Sequence, residues 1–208
     1  MDNIQYPDGA TPLDSDELEG LKIRHITTRG ELNRFEQDNI NEALQWLTVR
    51  HRKSDVLTEK FIKTLHQKMF GKVWRWAGSY RQSGKNLGVE WQQIPVFLHT
   101  LLQDVRYWIN HNTYPADEIA VRLHHRLVWM HLFPNGNGRH ARLMTDVLLK
   151  DVLKQKAFAW NAKDADVENE ARDMYLKALR LADNHDYSML LEFVRSDSKS
   201  KNYGDKNV

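Results

Sequence analysis

The stretch HLFPNGNGRHAR, His131 to Arg142, says more about fold and function than any other part of the chain. Its two Asn-Gly pairs favour tight turns and permit positive φ, so the backbone N–H groups can point inward. A helix predicted to start near Gly138 or Arg139 would add the N–H groups and the positive dipole end of its first turn, which favour an anion. Arg139 and Arg142 are three residues apart, on one face of that turn, where guanidinium groups can bind phosphate oxygens. The pattern predicts a polyphosphate site with a histidine at its edge.

Length and composition predict one soluble globular domain. The chain has 208 residues, of which 41% are hydrophobic and 28% charged, and no apolar run approaches the length of a membrane span. The first twenty residues lack the basic and apolar regions of a signal peptide, and there is no cysteine. A net charge of +2 gives no argument for nucleic acid. These features predict a cytoplasmic protein that binds neither membrane nor nucleic acid.

Apolar residues at helical spacing predict an all-α fold. Thr58 is predicted to cap one of these helices, and the Gly- and aromatic-rich residues 71–91, with alternating apolar positions near their end, predict a short β-hairpin or flap. The domain prediction is an N-terminal arm over 1–30, a single domain over 31–195 and a polar, disordered tail over 196–208. The predicted helices cover residues 31–51, 57–70, 94–110, 115–131, the stretch after Gly138, 167–183 and 187–195.

The same stretch resembles the signature of the Fic (filamentation induced by cAMP) family, HPFx(D/E)GNGRxxR. Leu132 stands in place of the family proline, and Asn135 stands in place of the family acid. WAGSYR at 76–81 extends the likeness outside the signature. Within the family, KNLGVEWQQIP at 85–95 and HLFPNGNGRHARL at 131–143 together most resemble the mobile mystery protein B branch. The matching signature positions are His131, Phe133, Gly136, Asn137, Gly138, Arg139 and Arg142.

The resemblance implies a protein adenylyltransferase on a helical bundle with a small β-hairpin flap over the active-site loop. Such an enzyme moves AMP from ATP to a Ser, Thr or Tyr hydroxyl of a target protein. His131 would be the general base, and Arg139 and Arg142 would hold the outer phosphates. The anion hole would comprise Gly136, Asn137 and Gly138, and the target-docking flap would comprise Lys85, Asn86, Leu87, Gly88 and Val89.

The resemblance also implies Mg²⁺ or Mn²⁺ on the nucleotide, held by the acid that Asn135 replaces. A neutral amide is a poorer ligand than a carboxylate for such a cation. The sequence therefore leaves a second hypothesis open, a nucleotide-binding regulatory protein with little catalysis. A different phosphoryl or nucleotidyl transfer is a third. An antitoxin or regulator protein, and a second copy of the chain, are further partners that the resemblance allows.

Many relatives carry an inhibitory helix with the pattern (S/T)xxxE(G/N), whose glutamate pairs with the second signature arginine. Glu36 lies in the corresponding part of this chain, although Leu32 and Gln37 depart from the pattern. An ordinary exposed helix glutamate is the alternative. Glu31, four residues after Thr27, is a second inhibitory candidate.

Two other patterns are interpreted without a role in chemistry. GSYRQSGK at 78–85 has five residues between its glycines and is followed by Asn86, so it fails the phosphate-binding P-loop pattern. The pair His124-His125 lacks a second cluster at metal-ligand spacing, which favours packing and a polar contact over a metal site.

Overall fold

The computed structural model describes residues 18–23, 25–26, 28–50, 55–160 and 170–195. Most of the predicted N-terminal arm and all of the predicted tail lie outside these residues. The described α-helices are α1 (Arg29–Val49), α2 (Glu59–Phe70), α3 (Ile94–His111), α4 (Ala116–Met130), α5 (Asn137–Val147), α6 (Glu170–Asp183) and α7 (Ser188–Arg195). A π-helical turn, Leu148–Val152, continues α5.

Local side-chain contacts explain where the first helices begin. The Thr58 side chain accepts a hydrogen bond from the Phe61 N–H at 3.2 Å, which confirms the predicted cap of α2. The Thr28 side chain accepts from the Glu31 N–H, and the Glu31 carboxylate accepts from the Thr28 N–H, which makes a capping box at the start of α1. Pro115 is the residue immediately before α4, one position earlier than predicted.

Helix α4 is the central element of the fold. It packs against α3, α5 and α7, while α1 packs on α2, α2 on α5, and α6 on α7. Its buried side chains divide between two apolar clusters: Ile119, Leu123, Leu127 and Met130 belong to the larger one, and Ala120 and Val121 to the smaller one under α6 and α7. Because α4 is held from several sides, the residue at its C-terminal end has a well-defined position.

The predicted β-hairpin over residues 71–91 is absent from the structure. Within the described ranges the chain forms no strand, and the pairing that exists is an isolated antiparallel bridge between Leu21 and Trp74. The segment consists of turns and bends that lead into a 3₁₀ helix, Trp91–Gln93. A hairpin fails to form because the Val89 N–H donates to the Met130 carbonyl and the Val89 carbonyl accepts from Arg81.

No helix in the described ranges is both long and apolar enough to cross a membrane.

Five histidines are buried, and burial is the main cause of each lowered pKa; the shift is smaller for His125 and large for the other four. The pKa of His66 lies well below its ordinary value, that of His124 is about 3, and those of His131 and His140 are about 4. The unfolded chain binds protons at these sites below about pH 6.5, whereas the folded chain does not. Burial raises the pKa of Asp146 to about 6, which acts in the opposite direction.

We therefore expect the protein to lose stability on mild acidification. Above about pH 6.5 these histidines are neutral in both the folded and the unfolded chain and cost no stability. As pH falls from there towards about 4, each of the four lowers the free energy of unfolding by up to about 1.4 kcal/mol per pH unit. One raised carboxyl cannot offset four histidines. Urea unfolding at about pH 7 and about pH 5 measures the effect. Equal midpoints at the two pH values would contradict it, and His124→Gln should reduce the pH dependence.

Candidate active site

His131 lies at the C-terminal end of α4, where the backbone adopts the left-handed region with φ of 53°. Its side chain is 8% exposed. The pKa of His131 is lowered to about 4, mainly by burial and also by the positive charges of Arg81 and Lys85, while a hydrogen bond to the Val128 carbonyl opposes the shift. The imidazole is therefore neutral near pH 7, the state in which it can accept a proton.

The Asn137 side chain closes the loop after His131 with two hydrogen bonds. Asn137 Oδ1 accepts from the Phe133 N–H at 2.9 Å, and Asn137 Nδ2 donates to the Phe133 carbonyl at 2.7 Å. Both polar groups of the Asn137 side chain are thus engaged within the loop, so the predicted anion hole would use the backbone N–H of this residue. Phe133 itself is fully buried, so its ring anchors the loop in the core.

Gly136 shapes the entry to α5. Its φ is 77°, and a Cβ built at this position would lie 2.6 Å from the Phe70 ring, so the site needs glycine for its conformation and for its close packing. Gly138, predicted as a second turn glycine, instead lies in the first turn of α5 without positive φ. No side chain from the described residues caps this helix, and its first N–H groups can therefore bind an anion.

Asn135 is the predicted metal ligand. Its Oδ1 accepts from the Gly136 N–H at 2.6 Å, and its carbonyl accepts from His66. Within the ranges that the structure describes there is no group of three or more His, Asp or Glu side chains suited to a metal ion. The local donor set is one neutral amide oxygen that already accepts a hydrogen bond. It does not fit Mg²⁺ or Mn²⁺, whose protein ligands are mainly carboxylates.

Arg139 forms an ion pair with Glu36 of α1. The distance from Arg139 Nη2 to Glu36 Oε2 is 2.8 Å, and the guanidinium lies 4.9 Å from the centroid of the Phe70 ring. We expected Glu36 to pair with the second signature arginine, Arg142, but the structure joins it to the first. Arg142 lies one turn further along α5, where its charge lowers the pKa of His124.

Glu36 is not an ordinary exposed glutamate. Its side chain is buried, with 4% of the residue exposed, and its Oε1 accepts a 2.6 Å hydrogen bond from the indole N–H of Trp74. Glu31, the alternative candidate, has a local role in the capping box of α1. The structure therefore separates the two glutamates, because Glu36 is paired with a signature arginine while Glu31 caps its own helix.

His66 is a functional candidate that sequence reasoning missed. Its ring Nδ1 accepts from the Gly78 N–H at 3.0 Å, so the Nε2–H donates to the Asn135 carbonyl at 3.1 Å. The same ring stacks on Phe133 with 3.7 Å between ring centroids. His66 thereby ties α2 to the signature loop. A buried histidine on an apolar helix face gives no sign in the sequence of such contacts.

The segment predicted as a target-docking flap, residues 85–89, lies against His131. Gly88 has φ of 97°, and a Cβ built on it would lie 2.6 Å from His131 Cβ. Leu87 is exposed, and so are Asn86 and Gly88. The arrangement places a solvent-accessible length of backbone beside the histidine.

The His124-His125 pair agrees with its interpretation as packing. His124 is fully buried, and its Nε2 lies 2.8 Å from the Tyr175 hydroxyl. The Nε2 atom of His125 lies 2.9 Å from Asp183 Oδ1. These contacts join α4 to α6, and they leave the pair outside the signature loop.

Comparison with known sequences gives one family and a set of distant relatives. The model of the Fic/DOC family matches residues 56–149. A protein adenylyltransferase Fic from Drosophila mojavensis is 27% identical over 143 residues, which make up 66% of this chain and 27% of that protein. The chain thus matches about a quarter of the length of this curated relative.

Solved structures share the fold. The N-terminal FIC domain of the Bep8 protein from Bartonella sp. 1-1C has a TM-score of 0.65 at 19% identity, covering 88% of this chain and 92% of that one. The N-terminal Fic domain of a Bartonella quintana protein, solved with bound ADP, has a TM-score of 0.60 at 17% identity, covering 82% and 86%. At these identities the likeness establishes the arrangement of helices.

Proposed function

We propose that the chain, whose residues 56–149 belong to the Fic/DOC family, is a protein adenylyltransferase that moves AMP from ATP to a Ser, Thr or Tyr hydroxyl of a target protein. The name of the Drosophila relatives suggests the reaction. One observation in this chain carries the proposal. A buried, neutral histidine ends α4, and the loop after it leads directly into the uncapped N-terminus of α5.

In this proposal the N-terminus of α5 binds the α-phosphate, because its backbone N–H groups lack helical acceptors and its dipole favours negative charge. Arg139 and Arg142, on the same helix, bind the outer phosphates. The target hydroxyl oxygen attacks the α-phosphorus while its proton moves to the His131 ring. The bond between the α-phosphorus and its bridging oxygen breaks, and pyrophosphate leaves with the electron pair.

Labelled ATP tests the reaction directly. We expect label on the α-phosphate to become covalently attached to protein and label on the γ-phosphate to be released. Attachment of the γ-label would instead identify a phosphoryl transfer. Attachment of neither label, with nucleotide still bound, would identify a binding protein.

The regulatory alternative has a specific observation in its favour. Arg139, one of the two predicted phosphate ligands, is already paired with the buried carboxylate of Glu36. We propose that Glu36 is an inhibitory residue, because an incoming polyphosphate must displace it from Arg139. In this form the protein binds nucleotide with slow transfer, and it becomes fully active when α1 releases the arginine.

Asn135→Asp should raise the transfer rate or lower the metal concentration needed for half-maximal transfer. One carboxylate oxygen can keep the hydrogen bond from the Gly136 N–H, and the other offers a charged ligand that the present amide lacks. Titration with Mg²⁺ and Mn²⁺ in the labelled-ATP assay measures the change.

Asn110→Asp makes the same charge change on an exposed residue of α3 and serves as the control. If Asn135→Asp leaves both the rate and the metal dependence as they are in the control, a carboxylate at this position has no role in holding the metal.

A further inference from the structure

Arg81 is the least exposed charged side chain near the signature loop, with 1% of the residue accessible. Its guanidinium donates to the His131 carbonyl at 2.6 Å, the Ser83 carbonyl at 2.9 Å and the Met130 carbonyl at 3.4 Å, and also to the Val89 carbonyl. The negative ends of these carbonyl dipoles surround the buried charge and stabilise it.

These carbonyl acceptors belong to two segments, the end of α4 and the flap region, which must lie side by side for the proposed transfer. Met130 and His131 end α4, where a cation is favoured by the negative end of the helix dipole. Ser83 lies just before the flap, residues 85–89, and Val89 is the last residue of the flap. The backbone N–H of Arg81 adds a bond to the Leu132 carbonyl at 3.0 Å. One planar side chain therefore joins both ends of the flap to the backbone of the histidine.

We infer that Arg81 is a positioning residue for transfer, which holds the flap and His131 in one rigid unit so that a hydroxyl docked on the flap meets the imidazole. This inference rests on the proposed function. Arginine suits the role because its five N–H donors have a fixed geometry, whereas lysine offers a single point charge.

Two further observations support the inference. Arg81 and Lys85 are cations close to His131, and both add to the lowering of its pKa that burial mainly causes. Gly88 is also in close contact with the unit. A Cβ built on it would lie 2.6 Å from His131 Cβ and 2.8 Å from Arg81 Nη2. The backbone at Gly88 therefore packs directly against both the arginine and the histidine.

Arg81→Gln and Arg81→Lys test the inference in the full chain. We expect both to speed hydrogen exchange in residues 85–89 and to lower transfer by about 100-fold, with ADP affinity within a few-fold of wild type. Arg81→Gln should also move the acid limb of the rate profile, and the NMR titration of His131, upward towards about pH 6.5. Arg81→Lys keeps the charge and should leave that titration low.

Hydrogen exchange and the histidine titration do not depend on transfer, so they separate this inference from the proposed function. Arg81→Gln with wild-type exchange in residues 85–89 and an unchanged His131 titration would overturn the inference, whatever the labelled-ATP assay shows. Full transfer by Arg81→Lys would overturn it too, because the fixed donor geometry would then be unnecessary.

A pair of glycine variants tests the same unit without removing a buried charge. Gly88→Ala should lower transfer about tenfold or more, since its methyl group must displace His131 or Arg81. Gly84→Ala adds the same group just before the flap, where a Cβ meets nothing within 4 Å, and should behave as wild type. Equal transfer by the two variants would contradict the close contact on which the inference depends, even if Arg81 variants fail to fold.

Discussion

His131→Ala should abolish attachment of labelled AMP while leaving the affinity for ADP within a few-fold of wild type. In the proposed mechanism the imidazole acts on the attacking hydroxyl, whereas α5 and its arginines bind the phosphates. Loss of a general base typically lowers the rate by about 10²- to 10⁴-fold. Because His131 is buried and its pKa is about 4, the imidazole is almost entirely in its neutral form near neutral pH.

The matched control is His99→Ala, which removes an exposed histidine from α3. It should transfer AMP at the wild-type rate. Transfer by His131→Ala at the rate of this control would rule out the assignment of His131 as the base. Loss of ADP binding along with transfer would show instead that the substitution has altered the loop.

Releasing the Glu36 contact should give the largest gain of activity. Glu36→Gln removes the negative charge from the Arg139 ion pair but keeps an oxygen that can accept from the Trp74 indole. A hydrogen bond to a charged group is worth about 1.5–3 kcal/mol, which corresponds to an increase of about ten- to a hundredfold in the fraction of Arg139 free to bind phosphate. The labelled-ATP assay should show an increase of that order, and Glu36→Gly should show it as well.

Glu31→Gln is the control for this prediction. Glutamine can replace glutamate in the capping box at the start of α1, so helix and fold are preserved while a charge is removed from the same helix. We expect wild-type transfer from Glu31→Gln. Equal rates for the Glu36 and Glu31 variants would mean that the ion pair with Arg139 does not restrain the reaction.

The sequence by itself determined the helices and the residues of the signature loop. Apolar spacing predicted α2 and α3 to within two residues at either end, because a 3.6-residue period and a capping residue such as Thr58 are local properties of the chain. The resemblance of the segment from His131 to Arg142 also indicated the family, whose model matches residues 56–149.

Only the tertiary structure decided the partners of the site residues. Glu36 pairs with Arg139 because α1 packs on α2 and α2 on α5, and a local pattern cannot specify contacts between such distant parts of the chain. Residues 71–91 have the alternation of a hairpin, yet Arg81 and the end of α4 take the backbone groups that strand pairing needs. The same holds for the lowered pKa of His131, since burial by packed helices, rather than its neighbours in sequence, is the main cause.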